Sequence, residues 1–199
     1  MIELGRRPLG TAFHPFIYAT ALEAGLTPAS PVEDEPMDNR AVMVGGREGI
    51  LAEWGMEIPN PRYEGEITLR RSLESSKVAS TVRVANQVGL DKVVHTSTAF
   101  GLPFQEAEQL PRLAVGWEAT SLKEAVRAYS AFGTSGQPGP SRQWYVSRVI
   151  DTSGSIRFDR PTLGNSSTPA VSKATAYQIH SILQGGMIRG SAAGLIDEL

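Results

Sequence analysis

Cysteine is absent from this chain, which excludes disulfides and thiolate metal sites and leaves its compartment open. Charge of one sign is absent too. The net charge is −2 and no basic stripe appears, so nothing points to a nucleic-acid partner. The longest apolar run falls far short of a membrane span, and the N-terminus lacks the layout of a signal peptide. The histidines, His14, His95 and His180, stand at no ligand spacing, so no metal site is expected. His95 and His180 read as surface or hydrogen-bonded core residues. Gly-Gly at 45–46 and 185–186 has no phosphate-loop context, and no cofactor of any kind is indicated. There are no internal repeats.

What is present suits one domain with a proper core: 199 residues, 41 % of them hydrophobic and 20 % charged. The stretch from Leu9 to Gly25 organises the rest. Phe13, Phe16, Ile17, Ala21 and Ala24 repeat at helical spacing, and Tyr18, Ala19 and Leu22 fill the opposite side. A helix apolar nearly all round is normally buried. Pro15 suits its first turn and Gly25 its C-terminal stop. Thr11 and His14 are the reactive side chains at its start. Three residues apart, they share a face if the helix is continuous. A hydroxyl beside a base near a helix N-terminus is a layout suited to acyl transfer.

Gly-Thr-Ala-Phe-His-Pro-Phe at 10–16 also resembles the Gly-Ser-x-Phe-Lys-Pro-Phe segment of penicillin-binding protein transpeptidase domains, most closely the bifunctional class A type. The resemblance implies a nucleophile at Thr11, where the family has an acylated serine. It implies an activating group at His14, where the family has lysine. The chain departs from the pattern at both positions.

Residues 26–66 are rich in Pro, Gly and acidic side chains and read as an irregular surface excursion, with Glu33, Asp34 and Glu35 in a solvated loop. Trp54, Asn60, Tyr63 and Gly65 then lead into Thr68-Leu69-Arg70, similar to the family's Tyr-x-Gly-x-x-Thr-Leu-Arg connection. Residues 68–88 read as helical, with Leu69, Leu73, Val82, Ala85 and Val88 apolar and an interruption at 74–78. The family's Ser-x-Asn motif falls in that break. Counting from Thr-Leu-Arg places Ser76 at its serine and Val78 at the substrate-binding asparagine. Residues 89–102 suit a short helix and a turn.

Leu113-Ala-Val-Gly-Trp-Glu-Ala-Thr-Ser-Leu122 looks like the family's Leu-Ala-Leu-Gly-x-x-Glu-Val-Thr-x-Leu segment. A helix from Ser121 to Phe132 follows, with a Ser121/Glu124 capping box and Leu122, Ala125, Val126 and Tyr129 as its expected buried stripe. Residues 144–158 suit a β-hairpin turned at Thr152-Ser153-Gly154. A last helix is expected over 170–184, with Val171, Ala174, Ile179, Ile182 and Leu183 inward and Gly185-Gly186 as its stop. The tail from Arg189 to Gly194 resembles the Gly-Thr-Ala segment that shortly precedes the family's Lys-Thr-Gly strand, and no such triplet occurs in the chain.

The resemblance therefore implies an α+β fold: the mostly helical portion of a transpeptidase (serine β-lactamase-like) domain over 1–199, with a hairpin and the central sheet largely missing. The subdivisions are the excursion 26–66, a helical subdomain 68–133, the hairpin 144–158 and the helix 170–184. Met1 leads almost directly into the active-site helix, so the chain reads as a piece of something longer, with an exposed apolar patch and poor solubility. By resemblance the activity is acyl transfer on D-Ala-D-Ala stem peptides in peptidoglycan cross-linking. Thr11, His14 and Ser76 are its catalytic candidates and Val78 its substrate-side position. The changes at 11, 14 and 78 impair it. The alternative is a non-catalytic scaffold of cell-wall synthesis. Implied partners are stem peptides or β-lactams and an upstream glycosyltransferase domain, at the extracytoplasmic face of the bacterial membrane with the anchor outside this chain. An unrelated hydrolase built on Thr11 and His14 would need an orienting acid, and the sequence nominates none.

Overall fold

Every residue from Phe13 to Leu22 is buried in the computed structural model, which describes residues 5–37, 62–104, 107–140, 145–160 and 168–195. That run forms helix α1 (His14–Glu23), entered through a 3-10 turn over Gly10–Phe13. Pro15 lies in its first turn, where a missing N–H leaves no hydrogen bond unmade. Gly25 takes a left-handed conformation (φ +97°) just past its end, and Leu26 N–H closes the turn on the Ala21 carbonyl at 3.1 Å.

Among the described residues five more α-helices follow: α2 (Leu69–Glu74), α3 (Val78–Val88), α4 (Leu90–Ala99), α5 (Leu122–Gly133) and α6 (Lys173–Arg189). Helices α2, α3, α4 and α6 all pack on α1. The reason is the sequence of α1: with no polar face of its own, it needs neighbours on every side. One end of the core is aromatic, with the Phe16 ring 5.0 Å from Phe100, 5.2 Å from Tyr129 and 5.5 Å from Phe132. Leu69, Leu73, Val82, Ala85 and Val88 are buried as their spacing requires.

The strands make two-stranded antiparallel ribbons. Strand β1 (Arg6–Pro8) pairs with β4 (Ala119–Ser121), β2 (Pro31–Asp34) with β3 (Gly65–Thr68), and β5 (Arg148–Ile150) with β6 (Ile156–Asp159). Among the described residues no sheet is larger. The architecture is α+β, about half helical with small antiparallel sheets, as the sequence implies.

Four expectations need correction. Residues 26–66 are not wholly irregular, because 31–34 form β2, with Val32 opposite Ile67 on β3. Trp54 and Asn60, two of the residues leading into Thr68-Leu69-Arg70, lie outside the described residues, as does Trp144. The last helix does not stop at Gly185-Gly186; it runs to Arg189. A Cβ on Gly185 would lie 2.1 Å from Glu74 Oε1, so that glycine marks a close helix contact and not an end. Of the expected inward set Val171, Ile179 and Ile182 are buried, but Ala174 is exposed and Thr175 and Ala176 are buried beside it. On α5 the Ser121/Glu124 capping box is present, yet the buried residues are Ala128, Ala131 and Phe132. Leu122 and Val126 are 62 % and 56 % exposed, since their side of the helix faces solvent.

Candidate active site

Two glycines set the entry to α1. Gly10 (φ +57°) donates its N–H to the Gly116 carbonyl at 3.1 Å, and Gly116 (φ +71°) lies so close that a Cβ there would be 2.1 Å from the Gly10 oxygen. The Tyr129 hydroxyl donates to the Ala12 carbonyl from the other side. Braced this way, the turn leaves Thr11 exposed while Phe13 is fully buried.

His14 lies on the inside, 1 % exposed. Its Nδ1 is 3.5 Å from Thr81 Oγ1, a long contact. The Thr81 hydroxyl spends its one proton on the Lys77 carbonyl at 2.7 Å, so toward His14 it can only accept. Nε2 is buried and without a hydrogen-bond partner among the described residues. Burial pushes the imidazole down to about 4, which keeps it neutral at physiological pH and makes it a weak base. The same buried network continues through the Tyr18 hydroxyl, 3.1 Å from Thr81 Oγ1 and 2.5 Å from Ser72 Oγ. Burial raises Tyr18 to about 12 against the opposing effect of those two bonds. Thr11 and His14 thus begin one helix but differ in access to solvent.

The break between α2 and α3 falls where the sequence puts it. Ser76 adopts φ +52°, a conformation costly for a side-chain-bearing residue, and is held by Ser76 N–H to the Leu73 carbonyl at 3.1 Å. Its Oγ meets Ser191 Oγ at 3.1 Å. Val78 opens α3, partly buried against the core. It offers a substrate no hydrogen bond.

Lys77, between them, turns away from Ser76. Its Nζ is 2.8 Å from Asp34 Oδ2, 2.9 Å from Glu64 Oε1 and 2.7 Å from the Arg62 carbonyl. Burial lowers its pKa, but the bonds to Asp34 and Glu64 outweigh that and hold the ammonium above its usual range. Glu33 and Glu35 are exposed as expected of a solvated acidic loop, but Asp34 is only 2 % exposed, which corrects that expectation for it. Paired and hydrogen-bonded, a carboxylate can be buried.

Sequence reasoning left out Ser191 and the groups that hold it. Glu74, buried between α2 and α6, takes Arg189 in a fork at 3.0 and 2.6 Å and Arg70 at 3.1 Å. The quoted Arg189-Gly190-Ser191 segment was the available signal, but nothing local in it says which loop it reaches. Among the described residues no group of acidic and histidine side chains could hold a metal ion. No described helix is long and apolar enough to cross a membrane.

No family model matches the chain. Penicillin-binding protein 1A of Neisseria meningitidis (serogroup A, serotype 4A) is 28 % identical over 198 residues, which is 96 % of this chain and 24 % of that protein. The chain thus spans about a quarter of the length of the curated relatives it matches. Among solved structures, penicillin-binding protein 1A from Haemophilus influenzae superposes with a TM-score of 0.74 at 22 % identity, covering 94 % of this chain and 31 % of that one. The imipenem acyl-enzyme of penicillin-binding protein A from Mycobacterium tuberculosis gives a TM-score of 0.66 at 18 % identity, over 91 % of this chain and 44 % of that one.

Proposed function

We propose that this chain, a relative of penicillin-binding protein 1A built on part of the transpeptidase-domain fold, forms one side of an acyl-transfer site for D-Ala-D-Ala stem peptides and β-lactams, with its chemistry impaired. The observation that carries the reading is the exposed Thr11 hydroxyl on a glycine-braced turn at the mouth of a fully buried helix. In the reaction, Thr11 Oγ1 forms an ester with the penultimate D-alanine carbonyl carbon. The peptide bond to the terminal D-alanine breaks, and that residue leaves as the amine carrying the hydroxyl proton. In this reading Ser76 serves as the relay serine, the position given by counting from Thr68-Leu69-Arg70. In the same reading the chain acts at the extracytoplasmic face, downstream of a glycosyltransferase domain.

Three features support the impairment. The Thr11 methyl crowds a nucleophile position occupied by serine in the family. His14 is a weak base whose free nitrogen is sealed in the core. The Val78 side chain carries no amide. The test is labelling of the chain with a fluorescent penicillin, with the adduct located by mass spectrometry. Slow labelling at Thr11 that disappears in Thr11→Ala is expected. An adduct elsewhere, or equal labelling of the variant, overturns the assignment of the nucleophile.

A second reading, a non-catalytic scaffold that only binds stem peptides, is favoured by the burial of His14. It predicts no penicillin adduct, saturable binding of an N-acyl-D-Ala-D-Ala peptide, and an unchanged cell-wall phenotype in Thr11→Ala.

A further inference from the structure

Helix α6 and the residue that follows it meet α2 through two glycines. A Cβ on Gly185 would lie 2.1 Å from Glu74 Oε1, and one on Gly190 would lie 2.0 Å from the Glu74 carbonyl oxygen. What they make room for is a carboxylate whose side chain is 3 % exposed, gripped by Arg189 at 3.0 and 2.6 Å and by Arg70 at 3.1 Å. Arg70 also reaches Ser181 of α6, at 3.2 Å from its Oγ. A buried carboxylate held in a guanidinium fork has one geometry, because losing a partner leaves its charge uncompensated.

This anchor fixes the chain just after α6. Ser191 N–H donates to the Glu74 carbonyl at 2.9 Å, which places the Ser191 hydroxyl 3.1 Å from that of Ser76. Ser76 is itself held at φ +52°, while Ser191 is exposed. Two segments distant in sequence, each constrained at the backbone, thus bring two hydroxyls together at the surface. One of them is the proposed relay serine. Nothing in the packing of the core requires this meeting, since neither side chain is buried. Strain of this kind persists only where its surroundings hold it.

We infer that Ser191 is a positioning residue for the Ser76 hydroxyl, and that the Glu74–Arg189 pair is the buckle that seats it; the inference rests on the acyl-transfer reading above. The ligand class is an N-acyl-D-alanyl-D-alanine or a β-lactam. With the site empty, either hydroxyl can donate to the other. With ligand present, Ser191 donates to Ser76 Oγ and frees the Ser76 proton to bond the ligand. No covalent bond changes in this exchange.

The test is a titration of the whole chain with N-acetyl-D-alanyl-D-alanine, followed by amide NMR shifts. Ser191→Ala should weaken binding about threefold to tenfold, the worth of one hydrogen bond. Ser191→Thr should bind as the parent does. Arg189→Ala should weaken binding as Ser191→Ala does, although Arg189 lies behind the hydroxyl pair. If Ser191→Ala binds as tightly as the parent while Ser76→Ala is weakened, the inference fails and the acyl-transfer reading stands. If the parent shows no saturable shifts at Ser76, Val78 or Ser191, that reading fails and takes the inference with it. Should Ser191→Ala melt abnormally, Ser191→Thr against Ser191→Val replaces it, since those two differ by the hydroxyl alone; equal binding by both overturns the inference.

Discussion

His14 shows at the scale of one residue how burial overrides local spacing. Thr11 and His14 are three positions apart, which puts two side chains on one face of a continuous helix. Here the backbone changes from a 3-10 turn (Gly10–Phe13) to an α-helix at His14, and the core claims the imidazole. The charge state follows. A histidine ordinarily near 6.5 that is held to about 4 in the folded protein takes up its proton more readily when unfolded. Stability is therefore full above pH 6.5 and is lost as pH falls toward 4, by about 3 kcal/mol if the whole shift is expressed. His14→Gln should remove that part of the pH dependence, read as the difference in urea midpoint between those two conditions. A slope identical to the parent's would mean that His14 is charged or solvated in the native state. The Thr/His pair was visible in the sequence; its split between surface and core was not, because that depends on which helices pack around α1.

At the scale of elements, the joints are ionic or glycine-mediated. Lys77 ties β2 and the segment before β3 to the start of α3 through Asp34 and Glu64. Lys77→Met should cost about 3–5 kcal/mol in chemical denaturation, because it leaves Asp34 a buried, uncompensated charge. A loss below about 1 kcal/mol, typical of a surface ion pair, would show that water reaches Asp34 freely. Gly190 has φ −106°, which any residue can adopt, so only space restricts it. Gly190→Ala should destabilise by about 1–3 kcal/mol through the clash with the Glu74 backbone, and calorimetry will read it as a lowered Tm. The reduced freedom of the unfolded chain alone argues for a gain of up to about 1 kcal/mol, so a raised Tm would mean that α6 can shift away from α2. The capping box at Ser121 was legible because it is a local pattern. The role of Gly185-Gly186 was misread as a helix stop because a glycine that ends a helix and one that lets another element approach look the same in sequence.

Across the molecule, apolar surface is distributed unevenly. Leu122, Val126, Ile150, Ile156, Tyr177 and Ile188 are each more than half exposed. The β5–β6 hairpin exposes Val149 and Ile150 as well as Ile156, and an isolated two-stranded hairpin is marginal in water. Such surface favours self-association. Val126→Glu should therefore leave stability within about 0.5 kcal/mol while reducing concentration-dependent association. Light scattering and thermal melting check the two halves. A clear drop in Tm would mean that Val126 is covered in solution. The exposed stripe of α5 was expected to be buried, because apolar periodicity marks a face for packing without saying whether a neighbour is there to receive it.

By itself the sequence determined that the helices are there, the capping box at Ser121, the break at Ser76 and the family likeness, since each is written in residues a few positions apart. Tertiary structure alone decided that His14 is sealed, that Asp34 is buried on Lys77, and that Ser191 meets Ser76. Those outcomes join positions separated by 67, 43 and 115 residues (His14 to Thr81, Asp34 to Lys77, Ser76 to Ser191). Contacts at such range are selected by packing and desolvation of the whole core, which no local pattern encodes.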